Sequence, residues 1–212
     1  MIKFVGDIMI DTLETNRSKA ETLDISNVLK NNLIDKTHAI PVTIPDYGIM
    51  TLHRPSNVDD KKSLGSIVDF VINQVLNELT LVWTIHPRTK KQLILYNLWE
   101  KLQRIDNLIL LNPIGYLELL KLNMEARLVF TDSGGLQEEC TLLGTPCITM
   151  RFNTERPITL KEFGGVSVLV GNDIGKLTKE FRKTLKSKKI PVNPEFWDGK
   201  TAFRCLKAIL EN

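Results

Sequence analysis

The stretch RLVFTDSGGLQEECTLLG, residues 127–144, contains an apolar run, a polar turn with two glycines and a helical segment. The run RLVFTD predicts a buried strand, and SGGLQEECTLLG predicts a helix that ends at Gly144. A strand that leads through a short turn into a helix is the unit from which parallel α/β sheets are built. This stretch therefore favours the α/β class.

The same alternation extends over the chain from residue 48 onward. Further strands are predicted for YGIMTLH (47–53), LTLVWTIH (79–86), NLILL (107–111), PCITM (146–150) and VSVLVG (166–171). Helices are predicted over residues 59–78, 88–104, 116–125, 155–163, 173–187 and 200–210. Short apolar strands separated by helices predict a parallel sheet with helices on both faces. We therefore expect residues 48–212 to form one Rossmann-like domain.

The first 47 residues follow a different pattern. IKFVGDIMIDTLE (2–14) and ISNVLKNNLI (25–34) predict two short amphipathic helices. The segment THAIPVTIPD (37–46) predicts a polar connector, because two prolines interrupt it. We interpret residues 1–47 as an interdomain linker and helical cap.

The composition is that of an ordinary globular protein. Apolar residues make up 42% and charged residues 25% of the 212 residues. The net charge of +3, from 28 basic and 25 acidic residues, is too small to indicate nucleic-acid binding. The basic run RKTLKSKK (182–189) is interpreted as a solvated helix face.

Several kinds of site are not expected from the motifs. The three cysteines are widely spaced without a CxxC, which is typical of reduced, mostly buried thiols in a cytoplasmic protein. With only three histidines, no metal site is predicted. The absence of GxGxxG and of a Walker lysine argues against a nicotinamide cofactor and a P-loop. We also expect no signal peptide and no membrane partner.

Polar residues follow four of the predicted strands. They are His53, His86, Asp132 with Ser133, and Arg151. In parallel sheets, ligands bind at the carboxyl ends of the strands, where the strand order reverses. We therefore expect these side chains to line one shared cleft.

The turn in TDSGGLQEE has the features of an anion site. Ser133 is a good helix N-cap, and the glycines after it allow close approach of a ligand to the backbone. The free N–H groups and the helix dipole favour a phosphate or diphosphate. One of the acids Glu138 and Glu139 lies where it can reach sugar hydroxyls. The alternative is an ordinary strand–helix turn followed by two solvated acids.

The motif TLHRPSN places a histidine and an arginine at the end of a strand. His53 is a candidate general acid or base near neutral pH, and Arg54 a candidate phosphate ligand. The alternative for His53 is a hydrogen-bonded structural histidine. In HPRT, we interpret His86 as a residue of the cleft wall and Arg88 as a solvated helix start.

The motif RFNTERP has two arginines on either side of a glutamate. Arg151 and Arg156 favour an anionic ligand, because both follow a predicted strand near the turn. The alternative is an internal Arg–Glu pair, in which Glu155 braces the loop with either arginine.

Seven motifs in order resemble the non-hydrolysing UDP-N-acetylglucosamine 2-epimerases. They are TLHRPSNVDD, HPRT, PIGYLELLKL, TDSGGLQEE, LGTPCITMR, NTERP and LVG. The resemblance runs from Val5 to the end and implies one half of a two-domain fold of the glycosyltransferase-B type. It further implies that UDP-GlcNAc is converted to UDP-ManNAc by elimination and re-addition of UDP, without a metal or other cofactor.

The resemblance also implies roles for individual residues. His53 would be the catalytic histidine, and Glu139 would hold the ribose hydroxyls. Tyr116 marks the loop that faces uracil. The diphosphate and sugar would be bound by Arg54, Ser133, Gly134, Gly135, Arg151 and Arg156.

The chain departs from the family pattern in several places. The family's N-terminal domain, which supplies most of its acid–base residues, is absent from this sequence. Leu119 replaces an aromatic residue that stacks on uracil, Ser56 replaces a common glutamate, and Val166 and Ser167 replace Thr-Asn. We expect an epimerase chain that is inactive alone, with the N-terminal domain either supplied by a separate chain or lost. The alternative is a UDP-sugar binding module. We also expect an exposed apolar patch near His53 and the N-terminal helices, which favours a homo-oligomer.

Overall fold

Six parallel strands form the centre of the computed structural model, in which residues 2–38 and 46–211 are described. They are β1 (Tyr47–Thr51), β2 (Thr80–Thr84), β3 (Leu108–Leu111), β4 (Leu128–Thr131), β5 (Cys147–Thr149) and β6 (Ser167–Leu169). Their order across the sheet is β3-β2-β1-β4-β5-β6, and all neighbouring pairs are parallel. The chain moves outward from β1 to β3 and then returns to β4 on the other side of β1. The strand order therefore reverses between β1 and β4.

The helices lie around this sheet. The α-helices of the described residues are α1 (Ile8–Glu21), α2 (Ile25–Asn32), α3 (Pro55–Val58), α4 (Lys61–Phe70), α5 (Pro87–Leu95), α6 (Trp99–Gln103), α7 (Tyr116–Glu125), α8 (Gly134–Leu143), α9 (Ile174–Thr184) and α10 (Thr201–Leu210). A π-helical turn covers Val71–Val75, and two 3₁₀ turns cover Pro157–Thr159 and Lys161–Phe163.

Alternate side chains of the strands enter two separate buried layers. Met50, Trp83 and Phe130 belong to the layer that α4 and α9 cover. Ile49 and its neighbours belong to the layer that α2 and α7 cover. Because both faces are buried, the strands are apolar throughout instead of alternating with polar residues. The predicted Rossmann-like parallel sheet with helices on both faces is confirmed.

Two long predicted helices are broken in the structure. The segment predicted over 59–78 consists of α4 and the π-helical turn, and α4 begins after Asp60, whose carboxylate accepts from the Ser63 N–H at 2.7 Å. The segment predicted over 88–104 is divided into α5 and α6. Asn97 has a φ of 59° between them, and this left-handed conformation ends an α-helix.

Two predictions after β5 differ from the structure in whole or in part. The segment predicted as a helix over 155–163 forms the two 3₁₀ turns, and Gly164 ends the second with a φ of 91°. In the basic run 182–189, the other four basic residues are exposed as predicted, but Lys189 is not. Its Nζ is half-buried and donates to the backbone oxygens of Asn123 and Met124, at 3.0 and 2.5 Å. Burial lowers the pKa of Lys189 to about 8.

The N-terminal helices pack onto the rest of the domain. Helix α1 begins at Ile8 and not at Ile2, because Gly6 has a φ of 106° and Asp7 accepts the Met9 N–H at 2.8 Å as the N-cap. Helix α1 contacts α7, α8 and α10. Most of the predicted connector 37–46 lies outside the described residues. The assignment of residues 1–47 to a linker stays a prediction.

The two ends of the chain meet at α10. The carboxylate of Asp11 in α1 accepts from the backbone N–H groups of Thr201 and Ala202, at 2.9 and 2.7 Å. These are the first residues of α10, whose own N-cap residue, Lys200, makes no side-chain cap bond. A side chain from the first helix therefore caps the last one.

The cysteines are free thiols, and two of the three are buried, Cys140 and Cys147. No grouping of three or more His, Cys, Asp or Glu side chains suited to a metal ion occurs within residues 2–38 and 46–211. In the same ranges, no helix combines the length and apolar character that crossing a bilayer requires.

Candidate functional site

A buried aspartate connects the ends of the two central strands. Asp132 follows β4, is fully buried, and accepts from the backbone N–H groups of His53 and Arg54, at 3.0 and 2.8 Å. The side-chain amide of Asn57 donates to the same carboxylate at 2.9 Å. Burial by itself would raise the pKa of Asp132, but the hydrogen bonds from His53, Arg54 and Asn57 outweigh it and lower the pKa. Asp132 therefore stays ionised and fixes the turn after β1.

His53 is held by this carboxylate. Its Nδ1 lies 2.8 Å from Asp132 Oδ1, and its side chain is 39% exposed. With Nδ1 donating to the carboxylate, the neutral ring carries its lone pair on Nε2. The alternative interpretation, in which His53 is a hydrogen-bonded structural histidine, is thus correct for its Nδ1 atom. Nε2 remains the nitrogen that can exchange a proton with a ligand.

Arg54 and His86 have local structural contacts of their own. Arg54 Nε donates to the backbone oxygen of Asp132 at 2.8 Å, which ties the arginine to the end of β4. His86 is the N-cap of α5, where its Nδ1 accepts the Arg88 N–H at 3.1 Å. The His86 and His53 ring centroids are 5.5 Å apart, so the two strand ends are adjacent. The exposed Arg88 pairs with Asp59.

Among the described residues, no side chain caps the helix that begins at Gly134. Ser133 occupies the N-cap position, but its hydroxyl makes no capping bond, and its own N–H donates to Thr131 Oγ1 at 3.0 Å. The predicted N-cap position of Ser133 is therefore confirmed, although its hydroxyl does not bond to the helix. The first N–H groups of α8 are left without a side-chain acceptor, as an anion site requires.

Arg156 lies directly over this helix start. A Cβ atom built on Gly134 would be 2.4 Å from Arg156 Nη1 and 3.1 Å from Glu155 Oε1. Only glycine leaves room for the guanidinium at this distance. Helix α8 and the RFNTERP loop are thus in close contact. This agrees with the expectation that the polar residues after β4 and β5 line one cleft.

The two arginines of RFNTERP form a chain of ion pairs. Arg156 Nε pairs with Glu138, and Arg156 Nη1 with Glu155. Arg151 Nη2 lies 2.5 Å from the other oxygen of Glu155. The alternative interpretation of an internal Arg–Glu pair is confirmed, and Glu155 bridges both arginines. Gln137 supports the loop, because its Oε1 accepts from the Thr154 hydroxyl at 2.9 Å.

The two acids of α8 are buried, so the alternative of solvated acids is wrong. Glu138 and Glu139 are 5% and 6% exposed. Burial, and then the nearby carboxylate of Asp7, raise the pKa of Glu138 to about 7, although Arg156 opposes this. Burial raises the pKa of Glu139 to about 7 as well. Both groups therefore titrate near neutral pH.

Several buried polar atoms in and beside α8 have no hydrogen-bond partner among the described residues. Within the described residues, neither Glu139 Oε2 nor the Tyr116 hydroxyl makes a hydrogen bond. Burial and the charge of Glu139 raise the pKa of Tyr116 to about 12, so its hydroxyl keeps its proton. An unpaired acceptor and an unpaired donor are typical of positions where a polar ligand completes the hydrogen bonding. Leu119, one turn beyond Tyr116, is partly buried against the core and offers no aromatic face.

Sequence reasoning missed three residues of this site: Asp7, Asn57 and Gln137. Asn57 and Gln137 stand within the quoted motifs, and both turn inward to bridge separate segments. Asp7 comes from the N-terminal segment, and no pattern in the sequence indicates that it faces Glu138.

Comparison with known proteins supports a single family. The sequence profile of the family described as UDP-N-acetylglucosamine 2-epimerase matches residues 1–210. The UDP-N-acetylglucosamine 2-epimerase of Methanocaldococcus jannaschii is 38% identical over 206 residues, which cover 97% of this chain and 53% of that protein. The enzyme of Methanococcus maripaludis is 37% identical over 199 residues, or 93% of this chain and 51% of that protein.

A solved structure of a relative supports the same family assignment. The crystal structure of the Methanocaldococcus jannaschii enzyme in complex with UDP-GlcNAc and UDP matches with a TM-score of 0.84 and 36% identity. The match covers 100% of this chain and 55% of that chain. The chain thus spans about half the length of the relatives it matches. Its sheet corresponds to one half of the glycosyltransferase-B type of fold. The resemblance of the seven motifs is confirmed, and the chain belongs to the UDP-N-acetylglucosamine 2-epimerase family.

Proposed function

We propose that this chain is the UDP-binding half of a UDP-N-acetylglucosamine 2-epimerase. The observation that carries the proposal is the start of α8, where Arg156 lies over Gly134 and no side chain caps the helix. A helix N-terminus beside a guanidinium is suited to a diphosphate. The relative from Methanocaldococcus jannaschii was crystallised with UDP-GlcNAc and UDP, which supports the same class of ligand.

We assign the diphosphate to the turn and the RFNTERP loop. Ser133 contributes its hydroxyl, and Gly134 and Gly135 contribute backbone N–H groups. Arg156 and Arg151 balance the negative charge. Arg54 lies at the neighbouring strand end and faces the sugar-phosphate side.

We propose that the nucleoside binds beside the Tyr116 hydroxyl of α7 and Glu139 Oε2 of α8, which lack a hydrogen-bond partner among the described residues. Glu139 accepts from the ribose hydroxyls in its ionised form, and the Tyr116 hydroxyl lies on the uracil side. His53 assists departure of UDP or proton transfer, because its Nε2 is free while Asp132 holds Nδ1. The overall reaction is elimination of UDP from C1 after loss of the C2 proton, followed by re-addition of UDP after the C2 proton returns on the other face. No metal or other cofactor takes part in this scheme.

We propose that turnover requires a second half. The chain spans about half of its relatives, and catalysis of this kind depends on a closed cleft with positioned acid and base groups. A separate chain is the proposed source of the half of the relatives that this chain does not match. A UDP-sugar binding module without turnover is the second candidate, supported by the same α8 site. Free thiols at all three cysteines support a cytoplasmic location.

An apolar surface at the two chain ends supports a protein partner. The side chains of Ile2, Phe4 and Ile8 are 101%, 60% and 51% exposed. On α10, an exposed apolar stripe consists of Phe203, Leu206, Ile209 and Leu210. Helices α1 and α10 are in contact, so these exposed residues lie on neighbouring segments. These side chains are the proposed contact for the other half of the enzyme or for a second copy.

The first test is calorimetric titration of UDP and then UDP-GlcNAc into the chain. We expect saturable binding of both, weakened at least tenfold in Arg156→Ala because a charge-assisted contact is lost. Unchanged UDP affinity in both Ser133→Ala and Arg156→Ala would contradict the proposed site. Turnover is then tested by adding a separately expressed N-terminal domain. Formation of the 2-epimer only in the mixture distinguishes a split enzyme from a binding module.

A further inference from the structure

The carboxylate of Glu155 lies at the start of α8. Its Oε1 is 3.1 Å from the position of a Cβ on Gly134, and the same oxygen pairs with Arg156 Nη1. Its Oε2 is 2.5 Å from Arg151 Nη2. The protein therefore places an anion of its own between the two arginines and the helix start.

This position is electropositive on three sides. Two guanidinium groups and the positive end of the α8 dipole surround the carboxylate. The hydrogen bond from Arg151 is the largest of the effects that lower the pKa of Glu155 to about 2. Glu155 is therefore ionised near neutral pH. A diphosphate at the same place would meet the same donors and be repelled by the same carboxylate.

Of the two partners of Glu155, Arg151 is buried and Arg156 is partly buried, whereas Glu155 itself is half exposed. The side chains of Arg151, Arg156 and Glu155 are 7%, 29% and 54% exposed. The Glu155 carboxylate can thus rotate into solvent while the buried Arg151 remains in place. Arg151 also has a buried Nη1 with no acceptor among the described residues. A phosphate has more oxygens than a carboxylate and can satisfy this remaining donor.

We propose that Glu155 is an internal competing anion, which occupies the diphosphate position in the free protein and moves away when a nucleoside diphosphate binds. This inference rests on the proposed function, because it concerns the same site. Glu155 then lowers the affinity for the diphosphate and keeps both arginines in their binding positions between ligands. It acts on phosphate-bearing ligands only and leaves the nucleoside contacts unchanged.

The test compares Glu155→Gln with the wild-type chain by calorimetry, with UDP, pyrophosphate and uridine as ligands. We expect UDP and pyrophosphate to bind roughly three- to tenfold tighter to the variant, since two partly exposed charge pairs no longer compete. Uridine affinity should stay unchanged. Glu162→Gln is the matched control, because Glu162 is an exposed glutamate on the following 3₁₀ turn. It removes the same charge, and we expect less than a twofold change.

Equal or weaker UDP binding by Glu155→Gln would overturn the inference, and weaker binding would show that the carboxylate instead orients the arginines. A gain that Glu162→Gln reproduces would also overturn it, because the effect would then be one of net charge. A wild-type chain that binds no UDP contradicts the proposed function. In that case, binding of pyrophosphate by Glu155→Gln alone would support the inference, and no binding by either chain would reject it as well.

Discussion

His53 Nδ1 lies 2.8 Å from Asp132 Oδ1, so a histidine from the end of β1 and a carboxylate from the end of β4 form one unit at the point where the strand order reverses. Because Asp132 also accepts two backbone N–H groups and the Asn57 amide, it organises the whole turn that contains His53 and Arg54.

We expect Asp132→Asn to destabilise the fold by about 2–4 kcal/mol, because an amide replaces a buried acceptor of several hydrogen bonds and presents N–H groups to other donors. Urea unfolding at neutral pH measures the effect. Asp69→Asn is the control, since Asp69 is 63% exposed and pairs with Lys101 at 3.5 Å, and it should change stability by less than about 0.5 kcal/mol. Similar losses in the two variants would show that the Asp132 contacts contribute little.

The turn at Ser133 allows binding and folding roles to be separated. Since the Ser133 hydroxyl makes no capping bond, Ser133→Ala should change stability by less than about 0.5 kcal/mol while it weakens UDP binding. Asp60→Ala is the contrast, because Asp60 caps α4 through the Ser63 N–H, and its loss should cost about 1 kcal/mol without affecting UDP. Thermal unfolding and UDP titration of both variants give the comparison. A cost for Ser133→Ala as large as that for Asp60→Ala would reveal a cap in solution.

Gly134 should be necessary for binding more than for folding. In Gly134→Ala, the new methyl group would lie 2.4 Å from Arg156 Nη1, so the guanidinium must move. Because the obstacle is the end of a flexible side chain, we expect a stability loss of only about 1 kcal/mol and a UDP affinity at least roughly tenfold lower. Gly65→Ala is the control, because the residue is in α4 and nothing beyond its chain neighbours and the backbone of that helix lies within 4 Å of its Cβ position. Wild-type UDP affinity in Gly134→Ala would mean that Arg156 is not a ligand.

Glu139 should make stability depend on pH with a sign opposite to that of most carboxylates. Burial raises its pKa from 4.5 to about 7, so the folded state binds this proton more tightly than the unfolded chain does. The contribution of Glu139 to the free energy of unfolding is therefore complete below pH 4.5 and is lost as the pH rises through about 7.

Replacing Glu139 with glutamine removes its carboxyl group and therefore this dependence of stability on pH. Between about pH 5 and pH 8, we expect the unfolding free energy of Glu139→Gln to fall less than that of the wild type, by about 1–2 kcal/mol. Urea unfolding at intervals across this range measures the difference, with Glu162→Gln as the exposed control. Parallel curves for Glu139→Gln and the wild type would contradict a raised pKa.

The parts of the fold set by local pattern were predictable. Helix α7 has the predicted bounds, and Gly144 ends α8 with a φ of 74°. The division of the predicted helix 88–104 was not predictable, because Asn97 adopts a left-handed conformation that the apolar pattern does not indicate. Periodicity alone continues across such a break.

In the site, the residue types indicated an anion but not the surroundings of each side chain. The burial of Glu138 depends on helix α1, which lies far away in sequence and brings Asp7 next to it. Lys189 likewise belongs to a basic run that resembles a solvated face, yet it reaches the end of α7. The burial of Glu138 and that of Lys189 both depend on contacts between segments that are distant in sequence. The residue spacing within one segment does not indicate such contacts.

The cap that Asp11 provides for α10 affects how this protein folds, because it joins helices that are distant in sequence. The capped N–H groups are 190 and 191 residues further along the chain than Asp11. Within this sequence, helix α1 precedes all three of its partners, α7, α8 and α10. Ile10 and Leu13 of α1 belong to one buried cluster with Leu120 of α7 and with Leu142 and Leu143 of α8, so their apolar face is covered only once α7 and α8 are in place. Docking of α1 therefore joins segments that lie far apart in sequence, and such long-range contacts slow folding and prolong the exposure of apolar surface.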